Sequence, residues 1–333
     1  MNATNARARL AIAAALAAVI AVQLPSLASA YSWPVKPFDV QHPVRANLGD
    51  PRTLFHAPPT EAGLMTGAGS FSFHQGVDIS APDGTAVYPV ASGVVSTVNS
   101  EKVVVDSGGG NHFEYWHVKA SVAVGQRVTA QRTVLGHILP EAGHVHLTEV
   151  DAGSVTNPLL PGHLTPFRDT TTPQVAAILV QPDDGGRELM SGFLRGKVDL
   201  IAEAYDTPPL PVPGEWNGMP VTPALVTWRI QRWDGKVVVP EQTAWDARRT
   251  IPPNSSFWRV YARGTYQNMS VFGSHFSWRQ PGRFLFRLDP AFDTALLSDG
   301  VYQLVVTVGD VAGNYSTRAL TFSVHNAPGW VGT

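Results

Sequence analysis

Short runs of apolar and β-branched residues, broken by Gly, Pro, Asn or Asp, recur along the chain from Val77 onward. Residues 77–79, 86–90, 93–98, 102–105 and 113–118 have strand length and are separated by turn formers. Residues 124–128 repeat the pattern, and 143–150 alternate apolar with polar positions, the period of a half-buried strand. These runs predict a compact antiparallel sheet ending near Phe167. Residues 31–70 carry Pro, Gly and His without a sustained period, which predicts an irregular lead-in that wraps the sheet rather than forming its core.

Residues 168–174, with Asp169, three Thr and Pro173, read as a linker. Beyond it, 175–180, 198–205, 224–231, 258–262, 283–288, 301–308 and 319–324 are strand candidates, with hairpin signals at Asp234-Gly235 and Gly313-Asn314. About seven short strands with no convincing helix between them predict a β-sandwich over 175–333. Residues 299–315 resemble the last hairpin of bacterial immunoglobulin-like or fibronectin-type-III-like modules. The fold class expected is therefore mostly β, a compact antiparallel sheet domain over 31–167 followed by a C-terminal sandwich.

The N-terminus changes the picture of where such a protein works. Arg7 and Arg9 precede the apolar run 10–24, and Ala28-Ser29-Ala30 supplies the small residues accepted by a signal peptidase. Residues 1–30 are thus expected to be an export signal cleaved before Tyr31. The apolar run includes Gln23 and falls short of the ~20 residues needed to cross a bilayer. No second segment is apolar enough, so no membrane span is expected after cleavage, and the mature chain is expected in the periplasm, the cell wall or the medium. Hydrophobic residues make up 44% and charged residues 15%, which excludes a disordered or coiled-coil chain. A formal charge of -2 argues against nucleic acid as a partner. There is no cysteine, so disulfides, thiol nucleophiles and Cys-based zinc sites are excluded, and any transition metal falls to His and carboxylates.

Seven of the eleven histidines lie between His74 and His163. The pattern that stands out is His74-Gln75-Gly76-Val77-Asp78, then His117, then His144-Val145-His146. On a straight strand His74 and Asp78 would sit ~13 Å apart, too far to share an ion, so the chain must bend, and Gly76 allows it. His144 and His146 point the same way, ~7 Å apart. A catalytic zinc keeps three protein ligands and one open position. His74, Asp78 and His146 would make that triplet, leaving His117 and His144 to move a proton or stabilise an oxyanion. His112, His137 and His163 are read as loop or surface histidines, and Glu149 as a solvent-facing strand end or a group that orients a ligand. Phe71, Phe73, Tyr115 and Trp116 are expected in the core or the groove wall, and Trp228, Trp233, Trp258 and Trp278 in the sandwich core.

These motifs resemble the lysostaphin-type, or LytM-like, zinc metallopeptidases. Residues 74–78 match the family's H-x-G-x-D element and 144–146 its H-x-H element, with 83–95, Tyr115-Trp116-His117-Val118 and 124–128 following in family order. The resemblance spans roughly residues 45–162. It implies a secreted zinc endopeptidase cutting peptide bonds in the stems or cross-bridges of bacterial peptidoglycan. It also implies one Zn²⁺ per chain held by His74, Asp78 and His146, with His117 and His144 catalytic. Two departures stand out: His146 is followed by Leu147-Thr148-Glu149 where the family reads H-F-E, and residues 136–143 replace a Gly-Ser-Thr-rich loop. The competing readings are a non-catalytic wall-binding or regulatory protein on the same fold and a secreted protease acting on Gly-rich proteins.

Overall fold

The computed structural model describes residues 30–53, 71–183, 186–270 and 279–326; residues 1–29 of the expected export signal and Trp278 lie outside them. In the first half the strands are β1 (Val44–Ala46), β2 (Pro51–Arg52), β3 (Ser72–Phe73), β4 (Val77–Ser80), β5 (Ala86–Val87), β6 (Gly93–Val98) and β7 (Lys102–Gly108). They continue as β8 (Asn111–Trp116), β9 (Val118–Ala120), β10 (Arg127–Val128), β11 (Gly136–Ile138), β12 (His144–Asp151) and β13 (Ser154–Thr156). One sheet runs in the order β1-β4-β12-β8-β7-β6-β10, with β13 also on β12, and every pairing in it is antiparallel. A second small sheet, β5-β11-β9, covers one face of it.

Alternation along β4 and β12 decides which face does what. Val77 and Ile79, with Val145 and Leu147, are fully buried in a core shared with Val87, Val118 and Ile138 of the small sheet. Asp78, Ser80, His144 and His146 therefore emerge on the opposite face, with Asp78 directly across from His146 and Ser80 from His144. The same pleat that builds the core sets out the polar row.

The lead-in differs from the expectation. Trp33 and Val35 are fully buried in the first core, and β1 is the edge strand beside β4. Trp33 and Val35 stand on either side of Pro34 and β1 is only three residues long, so no period announced them.

The second half contains β14 (Gln174–Pro182), β15 (Lys197–Tyr205), β16 (Leu225–Arg232), β17 (Val237–Asp246), β18 (Leu285–Asp293), β19 (Gly300–Gly309) and β20 (Tyr315–Val324). They form two antiparallel sheets, β14-β15-β18 and β17-β16-β19-β20, around a common core: the expected sandwich. Three details depart from the sequence reading. Residues 258–262 are not a strand: Phe257–Val260 is one turn of helix that buries Phe257 and Val260 together. Strand β17 had no counterpart in the prediction, because it is an exposed edge strand carrying Pro240 and polar residues. Trp233, expected in the core, is 74% exposed at the turn between β16 and β17.

The two halves share buried contacts. Phe71 and Phe73 belong to the sandwich core, where Phe73 stacks on Trp245 at 5.5 Å between ring centres. Asp50 accepts from Thr222 N at 2.8 Å and from its hydroxyl, Tyr261 Oη donates to Gly49 O at 2.8 Å, and Asn157 Nδ2 donates to Ala247 O at 2.9 Å. Gly49, at φ +89°, presses on the second half so closely that a Cβ there would lie 2.3 Å from the Trp245 ring.

Candidate metal centre

His74 stands in the short break between β3 and β4, and the chain bends at Gly76 before Val77 resumes the ladder. A Cβ on Gly76 would sit 2.2 Å from Leu147 O and 2.9 Å from His146 Nε2, so the bend lies directly against β12. This brings His74 Nε2 to 3.0 Å from Asp78 Oδ1 and 2.7 Å from His146 Nδ1, while His146 Nδ1 lies 3.0 Å from the same carboxylate oxygen. The three donor atoms lie within 4.8 Å of one another.

The outer side of each group is occupied. His74 Nδ1 donates to Asn47 O at 2.8 Å, which leaves Nε2 as a lone pair facing inward. His146 Nε2 lies 2.8 Å from Thr148 Oγ1, and Arg52 Nη2 donates to Asp78 Oδ2 at 3.0 Å. With its single N–H committed to Asn47, His74 has no proton to offer His146 at 2.7 Å or Asp78 at 3.0 Å. Two inward-facing ring nitrogens and a carboxylate oxygen at these spacings suit a cation between them, and the N,N,O donor set suits Zn²⁺.

Electrostatics agree with that arrangement. Burial pushes the Asp78 carboxyl up, but the neighbouring His74, His144 and His146 rings outweigh it and hold it well below the usual carboxylate range. Burial, reinforced by Arg52, brings His74 down to about 3, so its ring is neutral at pH 7.

His117 and His144 pack against each other beside the three donors, ring centres 4.4 Å apart. His117 is not within a strand as expected: it occupies the break between β8 and β9 with φ 62°, a left-handed conformation unusual for a residue with a Cβ. Burial lowers its pKa, and burial followed by the Arg45 and His117 charges brings His144 down to about 3. His144 Nε2 lies 3.5 Å from Asp78 Oδ1. Its Nδ1 meets opposite demands: Ala142 O, an acceptor, at 2.6 Å and Arg45 Nη2, a donor, at 2.7 Å. One ring nitrogen cannot satisfy both.

The remaining candidates separate cleanly. His137 is exposed and His112 half-buried, whereas His163 is buried and holds Glu149 at 2.8 Å, with Tyr31 Oη donating to the same carboxylate. Glu149 is therefore neither a solvent-facing strand end nor a ligand-orienting group; it lies on the core side of β12 and fastens Tyr31 there. Trp116 flanks the site, its ring 6.5 Å from that of His146. Asn47, Arg45 and Arg52 were not foreseen, and neither was Trp216, whose ring lies beneath Arg45. The only advance signal was Thr148, where the family's motif changes.

Residues 72–158 match the sequence model of Peptidase family M23. The matched residues include all five candidate positions. The match bears out the resemblance at family level and stops short of the C-terminal sandwich. No curated protein sequence matches the chain. Similar solved structures include the catalytic domain of the antimicrobial peptidase lysostaphin from Staphylococcus simulans, 20% identical over 34% of this chain and 85% of that one, with a TM-score of 0.25. A zinc containing peptidase from Vibrio cholerae is 20% identical over 38% of this chain and 39% of that one, with a TM-score of 0.29. The SpoIIQ-SpoIIIAH pore forming complex is 22% identical over 40% of this chain and 90% of that one, with a TM-score of 0.30.

Proposed function

We propose that the chain is an exported zinc metalloendopeptidase that hydrolyses peptide bonds of bacterial peptidoglycan. The observation that carries this reading is the convergence of His74 Nε2, Asp78 Oδ1 and His146 Nδ1 beside the His117–His144 pair, inside the segment matched to Peptidase family M23. The cell-wall substrate follows from the resemblance to lysostaphin-type peptidases, and a place of action outside the cytoplasm from the signal-like residues 1–30.

His74, Asp78 and His146 would hold the ion. When bound, zinc supplies a Lewis acid for the scissile carbonyl and makes water acidic enough to react near neutral pH. Asn47 and Thr148 hold the two ligand rings with the required nitrogens inward, and Arg52 takes the outer carboxylate oxygen so that Oδ1 faces the ion. His144 is neutral because it is buried; with its Nδ1–H turned to Ala142 O, it would present Nε2 to take a proton from the attacking water. His117, packed against His144, is placed to donate a hydrogen bond to the oxygen that becomes negative as the carbonyl is attacked.

The test is direct. Purified peptidoglycan is incubated with zinc-loaded protein, and new amino and carboxyl termini are identified by mass spectrometry. New termini that vanish with a chelator and return with zinc are expected; none from zinc-loaded protein would overturn the reading.

A further inference from the structure

Arg45 sits at a break in the register of β1: Val44 pairs with Ile79 and Ala46 with Asp78, so two steps on β1 face one on β4. A bulge takes a side chain out of the strand's normal alternation and re-aims it, and bulges are common beside active sites. Here the re-aimed side chain reaches His144, with Nη2 2.7 Å from Nδ1 and 3.4 Å from Nε2. The guanidinium carbon lies 4.3 Å from the centre of the Trp216 ring, a half-buried side chain contributed by the second half of the molecule. An aromatic face fixes the plane of a guanidinium without neutralising it.

Two arginines border the centre, and their situations differ. Arg52 is paired with Asp78. Arg45, among the described residues, forms no ion pair with any carboxylate, and its only hydrogen-bonding contact is the imidazole of His144. That contact is a poor one, because Ala142 O competes for the same ring nitrogen. A planar five-donor cation held rigid next to the reacting groups, with most of its donors unused, is built to receive a carboxylate in two-point fashion.

We propose that Arg45, braced on Trp216, is a subsite for a carboxylate of the peptide substrate close to the bond that is cut. The inference rests on the peptidase reading and adds the acidic character of the substrate. Taking up the carboxylate would draw the guanidinium off His144 Nδ1 and leave that nitrogen to Ala142 O, the arrangement in which Nε2 can accept a proton. The carboxylate could come from the free C-terminus of a stem peptide or from a branch carboxyl within it; the chemistry recognised is the same.

The experiment uses the full-length mature protein and one soluble peptidoglycan stem peptide in three forms: all carboxyls free, only the C-terminal carboxyl converted to carboxamide, and all carboxyls converted. Cleavage is followed with the natural amide. Binding is measured separately by calorimetry with a version whose amides are N-methylated, so that recognition is read without turnover. Full amidation is expected to weaken binding and raise KM by about 10–100-fold, the scale of a charge-assisted two-point contact. The singly amidated peptide shows which carboxyl is read. Arg45→Met should abolish the difference between the three peptides, and Arg45→Lys should restore only part of it.

Equal binding of all three peptides by the native protein overturns the subsite, even where cleavage proceeds. So does an Arg45→Met protein that still prefers the free acid, or one that loses kcat equally on all three with unchanged KM, which would make Arg45 a positioning residue for His144 alone. Carboxylate-dependent binding that Arg45→Met abolishes, with no cleavage of any form, keeps the subsite and overturns the peptidase reading instead.

Discussion

Single residues at this centre have separable duties, and substitution distinguishes them. Asp78→Ala removes the one anionic donor and leaves two neutral imidazoles, so it should abolish zinc retention as well as turnover, read by elemental analysis after gel filtration. His117→Ala and His144→Ala touch groups that are not among the three converging donors. Each should keep its zinc and lose turnover by roughly 10²–10⁴-fold. Metal lost from His144→Ala but kept by His146→Ala would mean that the ligand role belongs to the other member of the pair. Gly76→Ala tests the bend. Its new methyl would lie 2.2 Å from Leu147 O, so β4 and β12 must part where Asp78 faces His146. A stability loss of about 1–3 kcal/mol in urea titrations, with weakened zinc binding, is expected. The five candidate positions stand out in the sequence because their motifs are short and local. The partners that orient them do not: Asn47, Arg45 and Arg52 lie more than twenty residues before His74, and the pairings of β1 with β4 and of β2 with β3 bring them in.

At the level of elements, strands with a clear period were legible and those held by their surroundings were not. Strand β12 alternates, so its polar face could be read directly, while β17 owes its place to the neighbour β16 and shows little period of its own. Residues 258–262 look like a strand by composition, yet the Phe257 and Val260 side chains are buried together only in a helical turn. One junction of elements carries a pH dependence. Where β15 ends, the Asp206 carboxyl is buried near Asp169 of the linker and Asp310 of the β19–β20 turn. Burial, then these two neighbours, raise its pKa to about 8, although Thr207 N donates to it at 2.7 Å. In the unfolded chain the same group ionises near 3.8. The folded state therefore binds the extra proton between those values, and the stability this group contributes is full below about 3.8 and is lost as pH rises toward 8. Asp206→Asn keeps an oxygen for Thr207 N and cannot ionise. Its melting temperature should gain on the native protein's as pH goes from 4 to 8, by about 2–4 °C for each kcal/mol; parallel melting curves across that range would refute the assignment.

The whole molecule bears on the site through residues 45–53, which lie between the metal centre and the sandwich half. On one side Asn47 O holds His74 and Arg52 holds Asp78. On the other, Asn47 Nδ2 donates to Thr222 O at 3.1 Å, Asp50 accepts from Thr222, and Thr53 N donates to Gln267 Oε1 at 2.7 Å. A linker at 168–174 would suit a C-terminal domain that folds by itself and acts as a tether for an independent enzyme. The contacts favour another role, a buttress whose removal is felt at the three converging donors. A chain ending at Phe167 would expose Phe71 and Phe73, now 7% and 1% accessible, at a cost of about 1.5–3 kcal/mol for each ring. It would also strip Asp50 of the Thr222 donors and Asn157 of Ala247 O, leaving polar groups without the partners they have now. Such a fragment should aggregate on size-exclusion chromatography or elute without zinc. A subtler change in the full-length protein makes the point without truncation. Trp245→Ala removes the ring that stacks on Phe73 and abuts Gly49, and touches no donor of the metal. If the sandwich is a buttress, this variant should release zinc to a chelator faster than the native protein at a temperature where both are folded by circular dichroism. A soluble, zinc-bound fragment that cleaves stem peptides as fast as the full chain, together with unaltered zinc release from Trp245→Ala, would return the C-terminal half to the role of a separate module.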